Sequence, residues 1–358
     1  MMSATDDNRE RAPIGVQRRR LLSAAAGMAA ALVGCGREGP DVQARDAAPQ
    51  PPRPAGADTP GKSRVVVVRS EEALDEDGCV NDGVVGAMLE TAMLKTSGAP
   101  SLEDAWRAYV QPRDVVGVKV NCLGGPSLCT HPALVDHMAD GMQRAGVPAG
   151  SIIIYDRETG ELEECGFTVR ERGGVRCYGT DAVGYDPDWT VIGSTGSRFS
   201  AIATRQCSAI VNAPILKDHD GAGVTCALKN HFGSINNPNK LHTDHCDPHI
   251  ANINCAPALR DKQRISICDA LLVCYEGGPG FKPETTVPYG AILVSTDPVA
   301  LDTVGFGIIE ELREASGLEP IAAQERAPTY IATAADEEHR LGANRLEDIE
   351  LVEATVTA

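Results

Sequence analysis

Three histidines, two carboxylates and a thiol stand within eight residues, in the run His242-Thr243-Asp244-His245-Cys246-Asp247-Pro248-His249. Imidazole, carboxylate and thiolate are ligands of zinc, nickel and iron, so the run predicts a transition-metal site at His242, His245 and His249. Spacings of three and four would align the histidines on one helical face, but Pro248 opposes a helix through the whole run. A loop ending at Asp247 as N-cap, with His249 in the next first turn, fits better. The same residues also fit a solvated polar loop whose histidines cap backbone groups. A second group is cationic: Lys119, Lys217 and Lys229 lie on or just beyond apolar runs, where an otherwise acidic protein would hold an anionic substrate. The competing reading for each is a structural ion pair with Asp156, Asp269 or Glu276. His131 and His219 offer acid/base groups or further ligands, and Gly124-Gly125, ahead of Thr130, offers backbone N–H groups to a carboxylate or phosphate.

Elements must bring these residues together. From Arg64 onward, β-branched runs recur at Val65–Val68, Val115–Val120, Ile152–Tyr155, Ala209–Val211, Ile265–Ile267 and Ile292–Val294. Short and apolar on both faces, they suit buried parallel strands. Between them, Ala133–Arg144 reads as an amphipathic helix with Thr130 as N-cap, and Asp297-Pro298 opens another that runs through Glu310-Glu311 to Gly317. The expected fold is α/β, a mostly parallel sheet flanked by helices, in one domain or two interleaved lobes over residues 64–358. Ligands of such sheets sit beyond the carboxyl ends of the strands. On that rule Lys217, His219, Lys229, His131 and Asp156 are assigned to catalysis, and Asn121, Gly124, Gly125, Asn230 and Asp269 to substrate binding, all in one cleft.

The chain resembles the domain-of-unknown-function family 362. The residues that carry the resemblance are Val118-Lys119-Val120-Asn121, Thr130-His131-Pro132, Asn212-Ala213-Pro214 with Lys217 and His219, Gly223 to Asn230 with Gly233, Glu276-Gly277-Gly278-Pro279, and Ser295 to Asp302. The resemblance implies an α/β domain without an established general reaction, tied in some members to iron–sulphur modules of ferredoxin type. This chain has no C-x2-C anywhere, so no iron–sulphur motif is expected in it.

Ahead of the domain, Arg18-Arg19-Arg20 precedes thirteen uncharged small or apolar residues, Leu21–Val33, and then Gly34-Cys35. Paired arginines before such a run look like a twin-arginine export signal over residues 1–35, and Leu-Val-Gly-Cys like a lipobox whose Cys35 is acylated. Residues 36–63 carry six prolines and no apolar period, which predicts a disordered tether. The expected setting is therefore outside the bacterial cytoplasmic membrane, periplasmic or at the cell surface, with the lipid as the one membrane contact. Without Cys35, eleven of the twelve cysteines remain, an odd number that cannot all pair. Cys122 and Cys129 bracket the glycine loop and could close it, though isolated cysteines commonly serve as small buried hydrophobes.

Composition narrows the function further. A net charge of −17 argues against nucleic acid or anionic lipid as a partner, and 4% aromatic residues leave few stacking platforms. No G-x-G-x-x-G, G-x4-G-K-[ST] or G-x-S-x-G occurs, so dinucleotide, P-loop and serine-hydrolase readings lack support. Two expectations stand: an exported enzyme, metal-assisted or not, that acts on a small anionic substrate, or a lipoprotein that binds a ligand or metal without turnover. Protein partners are not legible.

Overall fold

The computed structural model describes residues 61–357; the export signal, Cys35 and nearly all of the tether lie outside the described residues. In chain order the elements are β1 (Ser63–Arg69), α1 (Asp82–Ser97), α2 (Leu102–Arg107), β2 (Val116–Lys119), α3 (Pro132–Arg144), β3 (Ile152–Tyr155), α4 (Thr159–Glu164) and β4 (Arg176–Cys177). There follow β5 (Thr190–Ile192), β6 (Thr195–Ser197), β7 (Ala209–Asn212), β8 (Ile215–His219), β9 (Gly223–Thr225), α5 (Ala227–Asn230), α6 (His249–Asn254) and α7 (Pro257–Arg260). The last are β10 (Gln263–Cys274), β11 (Thr286–Ser295), α8 (Pro298–Ala315), α9 (Tyr330–Ala335) and β12 (Ile349–Thr355). β1 begins at Ser63, one residue before the start of the domain expected from the sequence.

Ten strands form one sheet in the order β12-β1-β11-β10-β7-β2-β3-β4, with β8 pairing to β10 and β9 to β8. The fold is α/β and the sheet mostly parallel. Its departures are β11, antiparallel to both β1 and β10, and β9, antiparallel to β8. The runs at 65–68 and 292–294, expected in parallel strands, pair antiparallel to each other, while the first is parallel to β12: direction is a property of the connection, and a buried strand has the same composition either way. Strand alternation explains the apolar runs. Val66 and Val68 join a core beneath α1, α2 and α3, while Val65 and Val67 join one that includes residues of α5, α6, α8 and α9. Both cores share the one sheet, which buries both faces of its central strands.

Two caps show how the chain aims its loops. Asp297 caps α8 as expected, accepting 2.9 Å hydrogen bonds from Val299 N and Ala300 N, with Pro298 at the first helical position. Thr130, however, does not cap α3. That position falls to His131, and the Thr130 hydroxyl instead accepts from Asn121 N and donates to Ala213 O, tying the ends of β2 and β7 together.

Candidate functional site

The loops beyond β2, β3 and β8 and the short helix α5 enclose a cleft of about 450 Å³. Of the residues assigned from sequence, Asn121, Asp156, Lys217, His219, Lys229 and Asn230 line it, together with His242. The ends of β2 and β3 lead into Asn121 and Asp156, β8 carries Lys217 and His219, and α5 delivers Lys229 and Asn230. A buried carboxyl fixes that helix: Asp302 of α8 accepts from Leu228 N at 3.3 Å and from the Tyr330 hydroxyl at 3.2 Å. Burial pushes Asp302 up to about 7 against the pull of those bonds.

The three lysines have different surroundings. Lys119 realises the ion-pair reading, with Nζ 2.7 Å from Asp156 Oδ1 and 2.6 Å from Val120 O. The other Asp156 oxygen accepts from Cys122 N at 2.7 Å. Gly233 covers this pair so closely that a Cβ there would stand 2.6 Å from Asp156 Oδ1. Asn230 knits the neighbourhood, accepting from Asn121 Nδ2 at 3.0 Å and donating to Asn212 Oδ1 at 2.7 Å. Asn121 Oδ1 is buried with no hydrogen-bond partner among the described residues.

Lys229 Nζ lies 3.3 Å from His242 Nε2 and 3.8 Å from the centroid of the Phe232 ring. Lys217 is 1% exposed, and its Nζ has no hydrogen-bond partner among the described residues. Burial lowers both lysines to about 8; the Asp156 charge opposes the fall at Lys217, and the Lys217 charge adds to it at Lys229.

The histidines of the cleft are neutral. Burial, followed by the Lys229 charge, takes His219 down to about 2. Its Nδ1 accepts from Gly221 N at 3.1 Å and Ala222 N at 3.2 Å, which leaves the proton on Nε2. The contact between His219 Nδ1 and Asp220 is accordingly no ion pair at neutral pH. His242 stacks on His219 with ring centroids 5.4 Å apart, and burial and Lys229 lower it too. Its Nδ1 lies 2.8 Å from Pro238 O, so Nε2 faces Lys229 as an acceptor.

The remaining candidates lie elsewhere. His131 and Asp269 form a pair outside the cleft lining, with both the backbone N and Nδ1 of His131 2.8 Å from Asp269 Oδ2. Burial pulls His131 down, but the Asp269 charge and hydrogen bond outweigh it and hold the imidazole above its ordinary value. Gly124 backs the cleft rather than lining it: a Cβ there would meet Leu128 O at 2.1 Å and Lys217 Nζ at 3.0 Å. Gly125, at φ 74°, turns the loop in a conformation that disfavours other residues.

The structure does not bring His242, His245 and His249 together. His245 Nδ1 contacts Gly221 O at 3.3 Å, and His249 lies between Thr195 and Thr243. Asp244, His245 and Cys246 all take positive φ, which breaks the helical spacing that would have aligned the rings. The following helix begins at His249 as expected, but Pro248 holds the cap position assigned to Asp247. Among the described residues no group of three or more His, Cys, Asp or Glu is arranged to hold a metal ion. Their eleven cysteines are free thiols, so Cys122 and Cys129 are not joined, and both lie buried beside Cys165.

Sequence reasoning left Arg157, Glu161 and Phe232 out of the site, yet all three line the cleft. Arg157 was signalled by its place two residues after β3, next to Asp156, and Phe232 by its position three residues beyond Lys229, one turn on. Arg157 carries a salt bridge to Glu161, 2.5 Å long, at the cleft margin.

A family model described as "Domain of unknown function (DUF362)" matches residues 116–307, a span that contains every residue of the cleft lining. No curated protein matches the chain. A protein from Thermotoga maritima, solved by crystallography in a structural-genomics programme, is similar at a TM-score of 0.41 and 12% identity; the match covers 67% of this chain and 60% of that one.

Proposed function

The chain belongs to the domain-of-unknown-function family 362, and we propose that its cleft binds a small anionic substrate and transfers a proton on it. The observation that carries this reading is the pair of buried lysines, Lys217 and Lys229, on one cleft of a protein with a net charge of −17. A buried ammonium without a hydrogen-bonded anion is costly, and a bound carboxylate or phosphate relieves that cost. Near neutral pH an amine lowered to about 8 can both give and take a proton, which suits Lys217 to general acid/base work. Lys229 supplies charge, His219 offers a neutral N–H donor, and the Lys119–Asp156 pair with Asn230 holds the floor rigid.

Calorimetric titration of the purified protein with acetate, pyruvate, succinate and inorganic phosphate tests the binding. At least one anion should bind at one site, and Lys229→Gln should weaken it by about tenfold or more. Deuterium uptake at the carbon next to the bound carboxylate would support catalysis. Binding without exchange would favour the non-catalytic ligand-binding reading, and no binding by any of the four would overturn the anion site.

A further inference from the structure

We infer that Lys217 acts as a nucleophile, its amine condensing with the carbonyl carbon of a small 2-oxo acid to form a covalent imine in the cleft. The inference rests on the anion-binding reading above and names the substrate class. Lys119 ends β2 and Lys217 lies in the middle of β8; both are buried, and they differ in one respect. The Nζ of Lys119 is occupied by a carboxylate, a carbonyl and an amide oxygen, which suits a permanent ammonium. That of Lys217 is buried with no hydrogen-bond partner among the described residues, and the residue lines a cleft with room for a small molecule. A lysine held only for its charge is served by acceptors; one that bonds to carbon needs its lone pair free.

The surroundings suit that chemistry. Any side chain at Gly124 would crowd the amine, since a Cβ would stand 3.0 Å from Nζ. Burial keeps an appreciable share of Lys217 neutral near pH 8. Lys229 is a cation on the same cleft that a carboxylate can meet, while the His219 Nε2–H can bond the carbonyl oxygen. In the first step the Lys217 lone pair forms the C–N bond as the C=O π pair moves to oxygen. That oxygen takes a proton from Lys229, and the nitrogen releases one to solvent, giving a neutral carbinolamine. With a second proton taken from solvent, the hydroxyl leaves as water while the nitrogen lone pair closes the C=N bond, giving the protonated imine. One water is lost, and no oxidant or reductant takes part.

Reductive trapping provides the test. The full-length protein is incubated separately with pyruvate, glyoxylate or 2-oxoglutarate in the presence of cyanoborohydride, then digested and mapped by mass spectrometry. The expected result is one reduced adduct on Lys217 with at least one probe, absent from Lys217→Arg and suppressed more than tenfold by excess of the non-carbonyl analogue of that probe. Lys217→Met, checked for native circular dichroism, provides a second variant should the arginine disturb folding. Calorimetric binding of a probe without an adduct on Lys217 would overturn the imine and leave the anion site standing. Adducts spread over surface lysines at equal yield in the variants would also overturn it. Neither binding nor adduct would remove both readings.

Discussion

At the scale of single residues, Lys217 has a measurable thermodynamic signature. Its amine is lowered from 10.5 to about 8 by burial, so between those values the unfolded chain holds a proton that the folded chain has released. Wild-type stability from this group therefore rises with pH across that window. Lys217→Met removes the titration. Below pH 8 the variant should be more stable than wild type by on the order of 3 kcal/mol, and the advantage should shrink toward pH 10.5. Urea denaturation at pH 7 and pH 10 measures the difference, and an advantage that stays constant would mean that the amine does not titrate so low. Much of the cleft was legible at this scale, because polar residues directly after apolar runs stood out: Asn121, Asp156, Lys217, His219, Lys229 and Asn230 all line it. What spacing could not convey was pairing. Nothing in the sequence says that Lys119 faces Asp156 while Lys217 Nζ is buried without a partner among the described residues, or that three consecutive left-handed residues separate His242 from His249.

Among the elements, α8 shows how one cap can fasten several segments. The Asp297 carboxylate accepts from two amides of its own helix, from Ala343 N at 2.9 Å and from the Ser63 hydroxyl at the start of β1. Asp297→Ala should cost roughly 2–4 kcal/mol in urea unfolding, against about 0.5–1 kcal/mol for Ser101→Ala at the exposed cap of α2. Equal costs would show that the extra bonds contribute nothing. Five of the six apolar runs lie within a strand and the sixth, Val115–Val120, contains one, since a buried strand is written in consecutive β-branched residues. Strands β8 and β9 escaped notice because Lys217, Asp218 and His219 are buried polar residues, which look like loop in a one-dimensional reading. Asp218 is held there by an ion pair with Arg326, more than a hundred positions away in the chain. β12 carries a period-2 pattern typical of an edge strand, exposed on alternate residues, and lacks the apolar density that marks the others.

The whole molecule is acidic, with a net charge of −17, and its first sixty residues lie outside those described. Among the described residues no helix is long and apolar enough to cross a membrane. The Arg18-Arg19-Arg20 and Leu32-Val33-Gly34-Cys35 segments lead to the expectation that Met1–Gly34 is removed and Cys35 acylated. Mass spectrometry of the membrane fraction should find a lipid-modified Cys35 as first residue; a chain that still begins at Met1 would count against export, and a bare Cys35 against anchoring. The sheet order has a further consequence for how this chain is made. Strand β1, four valines in a row, is flanked in the finished sheet by β11 and β12, with Val66 opposite Val294 on one side and Val352 on the other. On the ribosome, β1 emerges long before either neighbour exists, so both of its hydrogen-bonding edges stay bare while most of the domain is being translated. Throughout that interval Arg64 and Arg69, the charges that bracket the valines, are what the nascent strand itself has to discourage pairing with a neighbouring chain.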